Sequence, residues 1–384
     1  MKQIKFTTPF TTGNEIINIS KLFDLKKFSG DGHFTKLCSG HISDKLGVDL
    51  TLLTTSATHS LEMAAILIGI EKGDEVIMPS FTFVSTANAF ILRGAKVIFV
   101  DISPESLNVD VNSIERAITT KTKAIVPVHY AGMSCDMEKL MVLAKKYNLY
   151  VIEDAAQAFG SKYKNKYLGT YGDLGCISFH DTKNIHCGEG GALLINNKKF
   201  SKKAEIIREK GTDRSQFIKG IIDKYTWQDI GSSYLPSELN AAFLLAQLES
   251  SSQIISDRKK LWNRYHTNLS KLIDIYNFKI LIPDHQCNHN GHIFLIVLDS
   301  KLKRDNLITY LNENNIQSTF HYVPLHTAPA GLKHTKFIGE DIYTTQMSEG
   351  LIRLPLHNQL NSDDVDFVCL KVIDFLKKEL FNNI

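Results

Sequence analysis

VIEDAAQAFGS (151–161) is the stretch from which the fold can be read. Apolar Val151 and Ile152 run into acids and then small residues, the pattern of a buried parallel strand that delivers Asp154 at its carboxyl end, where open α/β sheets build their sites. Downstream, CISFHDTKNIHCGEGG (176–191) reads as a second strand doing the same for Lys183. Upstream, strands and helices alternate: SLEMAAILIGI (60–70) has helical propensity, EVIMPS (75–80) is a strand, and a helix through 85–93 ends at Gly94. KVIFVDI (96–102), a helix near 111–117, AIVPVHY (124–130) and a helix near 136–147 continue the pattern. Such alternation implies right-handed crossovers and a mainly parallel sheet covered on both faces.

Beyond the extended GGALLIN (190–196), the run 201–225 turns polar and basic. From Ser237 to about Leu269 the pattern LNAAFLLAQLESSSQIISDRKKLWNRY predicts one long helix leading out of the first domain. HIFLIVLD (292–299) and helices near 303–314 and 362–378 then suggest a smaller lobe. The expected architecture is α/β: a large domain over 1–250, its mainly parallel sheet flanked by helices, and a smaller C-terminal α/β domain over 251–384.

The 384 residues are 43% hydrophobic, enough for a large core. A net charge of +3 gives no global field for nucleic acid or an anionic membrane, so any anion needs a local site. No apolar leader opens the chain, and AAILIGI (64–70) and HIFLIVL (292–298) are too short to span a bilayer, so a cytoplasmic protein is expected. The six cysteines form no CxxC pair, and none of the fourteen histidines falls into a metal-ligand spacing, His321 and His326 being the nearest to one. No metal is expected.

Asp154 and Lys183 carry the chemistry. A carboxylate beside a pyridine nitrogen keeps it protonated, and a lysine amine condenses with a neighbouring aldehyde; together they describe a pyridoxal 5'-phosphate (PLP) site. A phosphate needs backbone N–H groups, hydroxyls and preferably a helix N-terminus, all of which TTSATHSLEMAA (54–65) offers through Ser56, Ala57 and Thr58. Capping of that helix by Ser56 or Thr58 is compatible with the same role.

SFTFVSTANAF, VPVHYAG, VIEDAAQ, SFHDTKN, GEGG and LPLH, in this order, closely resemble the nucleotide-sugar aminotransferases, PLP enzymes of the type I aspartate aminotransferase fold. The resemblance covers nearly the whole chain. It implies Lys183 as the lysine that binds PLP and moves protons, Asp154 on the ring nitrogen, Gln157 on the phenolate oxygen and Ser178 on the phosphate. It also implies Phe83 stacked on the ring, a position that residues alone would assign to core. Relatives place a partner-subunit asparagine on the phosphate where SYLPSEL has Ser233, so a homodimer with active sites at the subunit interface is expected, with Ser233 as a departure from the pattern.

The stretches 204–217, 223–242 and 321–331 look most like the branch that moves an amino group from L-glutamate to C4 of a dTDP-4-keto-6-deoxyhexose, giving dTDP-4-amino-4,6-dideoxygalactose for lipopolysaccharide such as O-antigen. The gluco epimer and C3 amination of a 3-keto isomer use the same cofactor machinery and stay open. Lys210, Arg214, Lys219 and Lys224 are candidates for the substrate diphosphate, against a solvated charged loop. By the same resemblance His321, Tyr322 and His326 line the sugar side or pack, and GDGHFT (30–35) approaches the site or is a plain turn. The related sugar dehydratases carry histidine in place of Lys183, and a non-catalytic protein of this fold would be expected to lose Lys183 or Asp154. Both residues are present.

Overall fold

A computed structural model describes residues 3–382. Its centre is an eight-stranded sheet in the order Leu50–Thr54, Gly191–Ile195, Leu174–Ser178, Tyr150–Asp154, Thr122–Ile125, Glu75–Pro79, Lys96–Val100, Thr335–Phe337. All neighbours pair in parallel except at Gly191–Ile195, which runs against both of its own. The strands are short apolar runs buried on both faces, as a helix-covered parallel sheet requires. Helices such as Ala57–Leu67, Val84–Ile91 and Met137–Lys146 flank it. Asp110 and Asp136 cap the helices that follow them, accepting backbone N–H groups two or three residues on.

Three elements differ from the sequence reading. AIVPVHY pairs regularly only to Ile125, because Pro127 has no N–H to give the ladder; the chain stays extended, with Val126 N–H on Ile77 O at 2.8 Å and Asp154 N–H on Pro127 O at 2.9 Å. The single long helix is two, Glu238–Glu249 and Ser251–Leu269, broken at Ser250 (φ −91°, ψ 0°) inside three consecutive serines. Serine hydroxyls compete for backbone groups, and the break lets the first helix stay against Asn14–Leu25 and His33–Leu46 while the second packs on Ser362–Asn382. Finally, Thr335–Phe337, far along the C-terminal part, adds an edge strand to the large sheet beside Lys96–Val100.

The remaining C-terminal elements form an antiparallel sheet of Lys279–Ile280, Phe294–Val297 and Leu351–Leu354, packed under helices Lys301–Glu313 and Ser362–Asn382. Its core takes in Trp262, Tyr265, Phe294, Ile352 and Val368, and also Ile4, Phe81 and Tyr130 from the N-terminal part. These shared residues lie beside the carboxyl ends of the large sheet's strands, where the site forms.

Candidate active site

Asp154 ends its strand opposite Cys176, so Ser178 emerges on the neighbouring parallel strand two residues further along. Lys183 follows in the turn beyond. These residues line one cavity of about 860 Å³ together with Ser56, Ala57, Thr58, Phe83 and Gln157. His321 and Tyr322 close it from the C-terminal part. Ten of the sequence-derived positions are thus brought to one place.

Asp154 is buried, and both its oxygens are held: Oδ2 accepts from Thr86 Oγ1 at 2.7 Å and Oδ1 from Ala156 N–H at 3.2 Å. Burial raises its carboxyl, while Thr86, the Ala156 N–H, Lys183 and His129 hold it back. A cationic partner inside the cavity would relieve what remains of that cost. Burial likewise pushes the Lys183 amine down to about 8, Asp154 opposing and Arg353 assisting. A lysine so placed loses its proton near neutral pH, as a nucleophile and proton carrier must.

Ser56 caps the helix Ala57–Leu67, its Oγ accepting from His59 N–H at 3.1 Å. Its remaining first-turn N–H groups have no intrahelical acceptor, and Ser178 and the helix N-terminus converge on the same wall. A Cβ at Gly191 would stand 2.3 Å from Ser56 C and 2.5 Å from Ala57 N, so glycine is required for this close approach. Thr58 Oγ1 donates to Ser85 Oγ at 2.7 Å, tying this helix to Val84–Ile91. Phe83, just before Val84, is 55% exposed although it faces the cavity, which suits a ring that covers a planar ligand better than a core residue. Gln157 Oε1 accepts from Ala131 N–H at 2.7 Å and its Nε2 donates to Tyr322 Oη at 2.9 Å, leaving one amide hydrogen. Tyr322 adopts φ +28°, a strained value for a non-glycine residue, at this junction.

Six expected residues lie elsewhere. Arg214 pairs with Glu209 at 3.3 Å and Lys219 with Glu205 at 2.6 Å, while Lys224 and Ser233 are exposed, and none lines the cavity of this chain. Lys210 also turns to Glu209, at 3.6 Å. Glu205 and Glu209 thus pair with Lys219, Arg214 and Lys210, which accounts for the placement of these three. His326 turns away as well, with Nδ1 on Ser80 Oγ at 2.7 Å and Nε2 3.1 Å from Asp341. The GDGHFT loop is a turn held from outside the cavity: Glu238 accepts the N–H groups of Gly32, Phe34 and Thr35 at 3.1, 2.7 and 3.0 Å.

The sequence reading missed Thr86, Tyr130, Arg258, His292 and Arg353. Thr86 sat inside the quoted SFTFVSTANAF, one helical turn into a helix that begins at a strand end, and was the most accessible to sequence reasoning. The others come together only through the tertiary fold. Arg258 donates to the carbonyls of Gly291, His292 and Leu356 at 3.0, 2.6 and 2.9 Å and clamps the wall. Arg353 lies over the Phe6 ring at 4.7 Å, and its buried Nε has no hydrogen-bond partner among the described residues. Also among those residues, no three His, Cys, Asp or Glu side chains gather as a metal set, and no helix is long and apolar enough to cross a membrane.

The model of the DegT/DnrJ/EryC1/StrS aminotransferase family matches residues 11–373. GDP-perosamine synthase of Escherichia coli O157:H7 is 33% identical over 381 residues, covering 98% of this chain and 99% of that protein. The aminotransferase TlmJ of Streptoalloteichus hindustanus superposes with a TM-score of 0.90 at 25% identity, over 98% of this chain and 100% of that one. Spr1654 of Streptococcus pneumoniae, also 25% identical, matches in its pyridoxamine-phosphate form at 0.89 over 100% of both chains and in its PLP form at 0.87 over 98% and 99%.

The cavity fits PLP. A buried Asp154 carboxyl held by Thr86 and the Ala156 N–H, an amine able to lose its proton, a glycine-permitted cradle at a helix N-terminus and an exposed aromatic ring are the donor set that such a group needs. By this sequence match, this fold and this cavity, the chain belongs to the DegT/DnrJ/EryC1/StrS aminotransferases, PLP-dependent enzymes that aminate sugars.

Proposed function

We propose that this protein moves the amino group of L-glutamate to C4 of a dTDP-4-keto-6-deoxyhexose, giving dTDP-4-amino-4,6-dideoxygalactose. The observation that carries the reading is the convergence of Lys183, Asp154 and the Ser56–Thr58 helix start in one cavity that has His321 and Tyr322 on its opposite side. PLP, when bound, supplies an electron sink for the carbon that loses or gains the proton. Lys183 would hold its aldehyde and then, as a free amine, carry that proton. Asp154 would keep the pyridine nitrogen protonated, itself oriented by Thr86. Ser56, Ala57, Thr58 and Ser178 would bind the phosphate, Gln157 the phenolate oxygen and Phe83 the ring face.

Arg353 supports a dicarboxylate donor. Unlike Arg258, which is committed to three carbonyls, Arg353 lines the cavity with no hydrogen bond to a carbonyl or carboxylate among the described residues, and guanidinium grips carboxylate with two parallel bonds. We place the small domain at 251–384 and the large one at 1–250. We further propose a cytoplasmic homodimer in which half-buried Arg214 and exposed Lys219, Lys224 and Ser233 serve the neighbouring subunit's site, and a product destined for lipopolysaccharide.

The dTDP assignment rests on the likeness of 204–217, 223–242 and 321–331 to that branch of the family. A guanosine nucleotide is the second reading, favoured by GDP-perosamine synthases of Escherichia coli O157:H7 and of Caulobacter vibrioides, the latter 31% identical over 375 residues. Incubation with L-glutamate and dTDP-4-keto-6-deoxyglucose, or the GDP-linked 4-keto-6-deoxymannose, followed by proton NMR of the product decides the matter. The expected product has its amine at C4 with the small H3–H4 coupling of an axial substituent. A large coupling establishes the gluco epimer, turnover of the isomeric dTDP-3-keto sugar in place of the 4-keto one establishes the other regiochemistry, and turnover of the GDP sugar alone establishes the second reading.

A further inference from the structure

Tyr130 and His321 come from distant parts of the chain and meet in the cavity wall, with Tyr130 Oη 2.6 Å from His321 Nδ1. The tyrosine is fixed from several sides. It is fully buried, its N–H donates to Asn108 Oδ1 at 2.9 Å, and its ring packs edge-on against Phe81 at a centroid distance of 4.9 Å. Burial raises the phenol well above its ordinary range, so it keeps its proton. That single O–H faces Nδ1. A neutral imidazole has one acceptor and one donor nitrogen, and accepting at Nδ1 puts the hydrogen on Nε2.

His321 is surrounded by groups that disfavour a second proton. Burial, then Arg353 and Lys183, lowers its imidazole well below the usual range, and His292 and Tyr322 also line this wall. An imidazolium here would be another cation beside Lys183 and Arg353. What lines the cavity instead is a ring whose Nδ1 is met by the Tyr130 hydroxyl.

We propose that Tyr130 is a positioning residue that locks His321 in its neutral Nε2–H form, so that His321 donates a hydrogen bond from Nε2 to an oxygen of the keto sugar. This rests on the sugar transaminase reading, and it makes His321 a donor rather than a base. The consequence is confined to one half of the reaction. Binding of the sugar depends on the pair, while the half-reaction with glutamate does not.

The test uses full-length protein loaded with PLP. Ring-nitrogen NMR of histidine-labelled enzyme, with His321 assigned by the signal lost in His321→Gln, should show Nε2 protonated and Nδ1 unprotonated at neutral pH. Tyr130→Phe should give a mixture of tautomers and raise KM for the keto sugar about 5- to 10-fold, the scale of one hydrogen bond, with the glutamate half-reaction unchanged. His321→Gln, which keeps an N–H donor of similar reach, should retain more sugar affinity than His321→Leu; this comparison stands even if Tyr130→Phe does not fold. Protonation on Nδ1, equal loss in both half-reactions, or equal sugar affinity in His321→Gln and His321→Leu overturns the proposal. A wild-type enzyme that runs neither half-reaction overturns the transaminase reading itself.

Discussion

Lys183→Ala is expected to abolish turnover, lowering kcat by roughly 10⁴-fold or more, because one side chain provides both the nucleophile and the proton carrier. No neighbour replaces it: of the other cations lining the cavity, Arg258 is committed to three carbonyls, and Arg353 is a guanidinium that does not give up its proton. Folding should not suffer. Lys183 sits at about 8, below the ordinary lysine value, so its charged form is disfavoured in the native state. Removing it should therefore stabilise the fold at pH values below about 8, and the gain should fade as pH rises from there toward the unfolded lysine value. Thermal melts of both proteins across that range, beside assays of 2-oxoglutarate release, check both parts. A variant with normal turnover would remove Lys183 from the chemistry.

Asp154→Asn is expected to lower kcat about 10²- to 10³-fold, the scale of deleting one preorganised electrostatic partner. The amide is nearly isosteric and can still meet Thr86, so the cavity should keep its shape. It carries no charge, however, and cannot keep the pyridine nitrogen protonated as the carboxylate does. Loss of kcat with retained PLP binding is the expected pattern, measured by steady-state kinetics and cofactor titration. Unchanged activity would take Asp154 out of the site.

Both residues were legible in the sequence for a local reason. Each stands at or just beyond the end of a short apolar strand, and sheet topology places such ends together. Ser56, Ala57 and Thr58 were legible for a related reason, standing where a strand gives way to the start of a helix, whereas Gln157 and Ser178 were named only by the family resemblance. The break at Ser250 was harder, because helical periodicity runs straight through it and only the packing of its two halves on different partners reveals the bend. Arg214 and Lys219 read as anion ligands because their charge was visible and their pairing with Glu209 and Glu205 was not. Tyr130 and Arg353 carry no local signal at all. They acquire a role only when the C-terminal sheet and the loop after Thr122–Ile125 meet beneath the cavity.

The central claim is that this cavity holds PLP on Lys183 and passes an amino group through it to a nucleotide sugar. The most direct measurement is the visible absorbance of the purified, PLP-loaded protein on adding L-glutamate and then the keto sugar. The account predicts a yellow protein whose visible band falls in proportion to enzyme when glutamate is added and returns with the dTDP- or GDP-linked 4-keto sugar. A protein that binds no PLP, or one whose band neither glutamate nor the sugars change, would contradict it.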